Sequence, residues 1–157
     1  MPVQILIQNR QRKYPLNEKK VRRWVSGILK MQKEEAAEMG LVFVNNRTIR
    51  SYNRDYRGKD VPTDVLSFPM RGVGVAENFL SPLLGDIMIS LEKCYEDAPL
   101  FYHKNSEHLL FLLIHGILHL LGYDHEGSRN EAARMKRQEK NILQAVYYRE
   151  SRSIRFF

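Results

Sequence analysis

Apolar residues recur along the chain with two different periods, and the switches between them mark out the elements. Val3 to Ile7 is a short run that reads as a first strand. Beyond Pro15 and Asn17, residues Val21, Trp24, Val25, Ile28 and Leu29 share one stripe at helical spacing. That stripe predicts a helix ended by Gly40, with Trp24 in the core. Leu41 to Val44 reads as a second strand, and Asn45 to about Tyr56, with Ile49, Tyr52 and Tyr56 in phase, as a short helix. Asp64 to Phe68 predicts a third strand stopped by Pro69, and Gly85 to Ser90 a fourth. Gly72 to Pro82 between them has no period and reads as a loop. Only helices follow: a short one near Glu92 to Ala98, a long one through His115 and His119, and a last one from about Arg129 to Tyr148. The long one is apolar nearly all round, which predicts a helix buried in the middle of the domain. The last carries Ala132, Met135, Ile142 and Val146 on one side.

The fold class expected is α+β: one domain over residues 1–157, with a small mixed sheet of about four strands packed with about five helices. Its N-terminal strand and helix part covers about 1–100, a helical part about 101–148, and a basic tail 149–157. A chain of 157 residues holds one core comfortably and is short for two.

Composition narrows the class. Hydrophobic residues at 43% and charged residues at 27% are ordinary for a globular domain. The apolar stretch in MPVQILIQNR is too short for a signal peptide, and the run Leu109 to Leu121 is too short to span a bilayer. The single Cys94 excludes an internal disulfide framework and reads as a small, half-buried residue. Together these predict a soluble cytoplasmic protein. The net charge of +7 gathers in clusters around Arg10 to Arg23, Arg47 to Lys59 and Arg149 to Arg155. Such clusters track a phosphate backbone or coat solvated helix faces, and charge alone does not choose.

The candidate chemistry lies in the run HGILHLLGYDH. His115 and His119, four residues apart, project from one helix face. Gly122 can end the helix in a left-handed turn and return the chain so that His125 meets them. Three imidazoles with an open fourth position form the ligand set of a catalytic zinc site, although another divalent transition metal would also fit. A lone histidine here would read as a core residue; three in eleven positions with the glycine between read as a metal centre on a buried helix. Asp124 and Asp86 are candidates to hold the outer ring nitrogens. His108, about 10 Å away along the helix axis, is too far to join the shell. The same spacing occurs in zinc peptidases, but those carry a glutamate after the first histidine where this chain has Gly116. A second constellation runs from Tyr56 to Pro69. Arg57 and Lys59 with the hydroxyls of Thr63 and Ser67 suit a phosphate-bearing substrate; the same residues also read as a plain basic turn.

Tyr56 to Pro69, Leu84-Gly85-Asp86-Ile87 and His115 to His125 together resemble, in that order, the YbeY family of bacterial ribosomal RNA maturation factors, over roughly Asn45 to Glu126. The resemblance implies a zinc-dependent, single-strand-specific endoribonuclease. It implies action in 3′-end maturation of small-subunit ribosomal RNA and in ribosome quality control. The implied partners are single-stranded RNA and the small ribosomal subunit, with no membrane and no DNA. By motif position His115, His119 and His125 would be ligands, with His115 and Arg57 the catalytic pair. Two other readings stay open: a zinc peptidase-like hydrolase without the usual base, and a non-catalytic ribosome assembly factor whose metal holds the fold.

Overall fold

The computed structural model describes residues 2–71, 82–124 and 128–155, the last few of these as backbone only. The loop read from Gly72 to Pro82 therefore lies almost wholly outside the described residues, and so does His125. Strand β1 (Gln4–Asn9) leads through α1 (Glu18–Met31) to β2 (Glu38–Val44), and α2 (Asn46–Arg57) leads to β3 (Val65–Pro69). Then come β4 (Leu83–Ser90), α3 (Leu91–Asp97), a 3₁₀ turn (Ala98–Phe101), α4 (Asn105–Leu120) and α5 (Arg129–Arg155). The strands form one mixed sheet in the order β1-β2-β4-β3, with β1, β2 and β4 parallel and β3 antiparallel on the edge. The expected α+β class, four strands and five helices are all present.

Strand alternation divides the sheet's two faces. Ile5, Met39, Leu41, Phe43, Ile87 and Ile89 join α1, α4 and α5 in the main core. Val44, Leu66 and Met88 form a smaller core with Ile49 of α2, flanked by Val42, Tyr52 and Phe68. Among the described residues α2 is the helix that packs on that second face, and Leu6 on the far strand stays 64% exposed.

Two helix ends differ from expectation. The first helix stops at Met31, not Gly40, and Lys33 takes a left-handed φ of 60°. Its apolar stripe ends at Leu29; the next positions in phase are Gln32, Glu35 and Ala36, which offer little to bury. Gly40 instead lies inside β2 opposite Asp86, where a side chain would collide with the Asp86 carboxylate. The last helix continues past Tyr148 to Arg155. Trp24 Nε1 donates to Glu150 at 2.7 Å, which ties that extension to α1. Trp24 is buried, as its stripe predicts.

Helix α4 crosses the middle of the fold, with ten of its sixteen residues buried. Gly116 sets how closely it approaches the sheet. A Cβ there would meet Ile87 Cδ1 at 3.0 Å and Cγ2 at 3.2 Å. The position after the first histidine thus faces β4, where a glutamate would point into the core. At the helix start His108 is fully buried. Its Nδ1 lies 3.1 Å from His103 Nδ1, and its Nε2 3.9 Å from Asp64. His103, which reads from sequence as a surface residue, is half-buried against it.

Two outcomes follow. Gly116→Val should lower the unfolding free energy by about 1–3 kcal/mol in urea titrations, because the added methyls must displace Ile87. Burial holds the His108 imidazole below the ordinary histidine range, against the upward pull of Asp64; His103 adds to the lowering and Asp97 opposes it. The unfolded chain then binds the proton more readily, so stability should fall as pH drops from about 7 to 5. Asp64, whose own proton affinity is raised mainly by burial, acts in the opposite sense at lower pH. His108→Gln should flatten the fall in urea midpoint across that window; an unchanged slope would assign the effect to other groups.

Candidate active site

Helical periodicity in α4 puts His115 and His119 side by side on the strip that borders β3. Both are half-buried, and their Nε2 atoms are 3.1 Å apart. The helix ends at Leu120, and Gly122 adopts a φ of 98°, a left-handed turn that takes the chain off the helix axis. A cleft of about 230 Å³ opens over the pair. Arg57, Ser67 and Asp124 line it with the two histidines, and Val65 and Pro69 of β3 complete the near wall.

Arg57 reaches the cleft from the last turn of α2, which ends there because Gly58 takes a left-handed φ of 71°. Its neighbours Arg50 and Arg54 are ion-paired to Asp60 and Asp55 on the exposed surface. Ser67 is committed elsewhere: its hydroxyl donates to the Gly116 carbonyl at 3.3 Å, tying β3 to α4. Lys59 and Thr63 are not among the residues that line the cleft.

The outer nitrogen of His115 is held by a residue the sequence reading did not select. His115 Nδ1 lies 2.8 Å from Glu139 Oε1, with both side chains largely buried. A carboxylate can only accept, so Nδ1 carries the proton and the Nε2 lone pair faces the cleft. The signal was present in the chain. Glu139 falls between Met135 and Ile142 on the apolar stripe of α5, where a charge is costly unless it has a partner. Asp86 does not take this role. It lies on β4 next to Ile87, which touches Gly116, and so points to the opposite face, over Gly40. There it lines a separate groove of about 520 Å³ with Arg10, Tyr52 and Tyr56.

The two histidine nitrogens have the spacing of neighbouring ligands on one divalent transition metal, and among the described residues no group of three candidate ligands forms. Two nitrogens bound tetrahedrally at about 2.1 Å stand about 3.4 Å apart, close to the observed separation. A neutral imidazole anchored through its other nitrogen by a carboxylate is the usual support for such a ligand. Asp124 lines the same cleft, whereas His125 falls outside the described residues. Cys94 plays no part: it is buried, and burial pushes its thiol up to about 12, so it stays protonated and inert.

A family model described as "Endoribonuclease YbeY" matches residues 6–147. A protein of that name from Halalkalibacterium halodurans is 45% identical over 118 residues, which cover 71% of this chain and 74% of the relative. Another from Alkaliphilus metalliredigens is 37% identical over 151 residues, 91% of this chain and 95% of the relative. A Thermotoga maritima protein solved in solution superposes with a TM-score of 0.64 at 29% identity, over 95% of this chain and 92% of that one.

Glu139→Gln keeps the shape but removes the anionic acceptor. It should weaken zinc affinity about 10- to 100-fold in a chelator-competition titration, with little change in melting temperature. Unchanged affinity would leave Glu139 a purely structural partner.

Proposed function

Because the chain belongs to the endoribonuclease YbeY family, we propose that it cuts single-stranded RNA in a metal-dependent reaction, acting in maturation of the 3′ end of small-subunit ribosomal RNA and in ribosome quality control. The observation that carries this reading is the pair of Nε2 atoms 3.1 Å apart, anchored by Glu139, in one cleft with Arg57. His115 and His119 would hold the cation, with His125, the third histidine of the same motif, as the third ligand. Zinc is the metal this donor set favours. When bound, such an ion lowers the pKa of water and offsets the charge of a phosphate.

The protein's own groups supply the rest. Arg57 presents a guanidinium that can pair in two-pronged fashion with phosphate oxygens and neutralise the charge that grows there during in-line attack. Glu139 holds the Nδ1 side of His115 and so fixes the ring orientation that turns Nε2 toward the cleft. Ser67 spends its hydroxyl on the Gly116 carbonyl and thereby keeps the β3 wall against α4. The peptidase alternative loses its base twice over: Gly116 has no carboxylate, and its position faces Ile87 instead of the cleft. Among the described residues lining the cleft, Asp124 is the carboxylate.

The substrate side is supported by charge. A net +7, with basic clusters that include Arg47 to Lys59 on α2 and its loop, favours a polyanion. No helix among the described residues is long and apolar enough to cross a membrane. The small ribosomal subunit as partner and the cytoplasm as compartment complete the reading.

His119→Ala should abolish cleavage of a fluorescent single-stranded RNA and lower metal content measured by elemental analysis, with the circular-dichroism spectrum unchanged. Arg57→Ala should keep the metal and lose about 10²- to 10³-fold in kcat. Full cleavage by metal-stripped protein, or by His119→Ala, would sink the reading.

A further inference from the structure

A row of rings leads away from the two cleft histidines along α4. Phe111, one turn before His115, lies 6.0 Å from it between ring centres with the planes inclined 32°. Phe101, in the 3₁₀ turn, lies 6.0 Å from Phe111 at 35°, and His103 lies 5.7 Å from Phe111. Beneath them sits the fully buried His108, on which Phe101 stacks at 4.9 Å and 30°.

Core packing explains the lower part of this row but not the upper. Phe111 and His103 are half-buried, Phe101 is 50% exposed and Tyr102 is 96% exposed. Tyr102 also takes a left-handed φ of 57°, uncommon for a bulky residue. The turn therefore accepts backbone strain while leaving three consecutive apolar residues, Leu100 to Tyr102, in water. The platform is nonetheless stiff. The contact of His103 with His108 and the stack of Phe101 on His108 fix the rings before any ligand arrives.

We propose that Phe101, Phe111 and His103 form a nucleobase-stacking subsite for the RNA strand whose phosphodiester occupies the cleft. This rests on the endoribonuclease reading and extends it to how the strand is held. The argument for a nucleobase over a protein side chain is continuity. The row is unbroken from Phe101 to His115, which lines the phosphate cleft, so a strand bound there brings its bases to the rings. Aromatic faces accept any base, in keeping with a site that reads a strand's shape before its sequence. The subsite also accounts physically for a single-strand preference, because paired bases stack on one another and offer no free face.

The test measures binding without cleavage. A fluorescein-labelled single-stranded RNA is titrated by anisotropy into metal-stripped protein, which the proposed reaction leaves unable to cut it, and the titration is repeated with one abasic position moved along the strand. Phe101→Ala should weaken binding about fivefold to a hundredfold, the range stacking on one aromatic ring is worth. Phe101→Trp should restore it. Wild type should lose affinity at one or two abasic positions, and Phe101→Ala should be indifferent to those same positions. Phe101 is half in water, so its removal spares the core, and a melting curve checks this; Phe111→Leu gives a second variant that keeps the apolar volume. Wild-type affinity in Phe101→Ala, no binding by wild type, or an equal loss at every abasic position would overturn the subsite. The two readings fail separately. Absent metal-dependent cleavage with ring-dependent binding removes the nuclease and keeps the subsite; normal cleavage with ring-independent binding does the reverse.

Discussion

Everything in the site depends on the close packing of α4 against β4. Gly116 lets the helix approach until Ile87 touches its backbone, and a side chain there would push the helix away by some fraction of a methyl group. With α4 seated that closely, 3.6-residue periodicity does the remaining placement. Gly116 faces the sheet, while His115 and His119 emerge together at the border with β3. The edge strand is joined to the same spot by the hydrogen bond from Ser67 to the Gly116 carbonyl. One small residue thus fixes the depth of the helix and anchors the cleft wall. The same geometry explains why the histidine frame of a peptidase occurs here without its glutamate. In this fold the position after the first histidine belongs to the core.

The electrostatic counterpart is Glu139. A carboxylate on the buried stripe of α5 is tolerable because it pairs with His115 Nδ1, and that pairing selects the tautomer that leaves Nε2 available. Helix α5 therefore supports the cleft histidine as well as the core. Its C-terminal extension, pinned by Trp24 to Glu150, secures the helix that carries this support. Stability and function share these contacts, so a change at the far end of α5 can reach the cleft through the position of Glu139.

The sheet separates two environments. Its covered face carries the core and the histidines; its other face carries Asp86, Val42 and the rings of α2. The edge strand β3 serves both, sending Leu66 into the small core and Val65 and Ser67 to the cleft. Arg57 lies in the last turn of α2, which Gly58 ends, and lines the histidine cleft.

Much of this was legible in the chain. The period of the apolar residues marked every strand and helix, and the spacing of His115, His119 and Gly122 foretold a paired donor set followed by a left-handed turn. These are local properties, governed by neighbours three or four positions apart. Gly40 has the look of a helix stop, whereas it is small to admit Asp86 from another strand, so the end of α1 is not set there. Asp86 was misplaced for the same kind of reason: a one-residue step along a strand reverses the face, and only sheet register decides which face meets α4. Glu139 was visible as a charge on an apolar stripe but had no partner until α5 packed beside α4. The sequence by itself determined which side chains could do the chemistry. The tertiary structure decided which of them meet, because those contacts span tens of residues along the chain and depend on how two helices and an edge strand pack together.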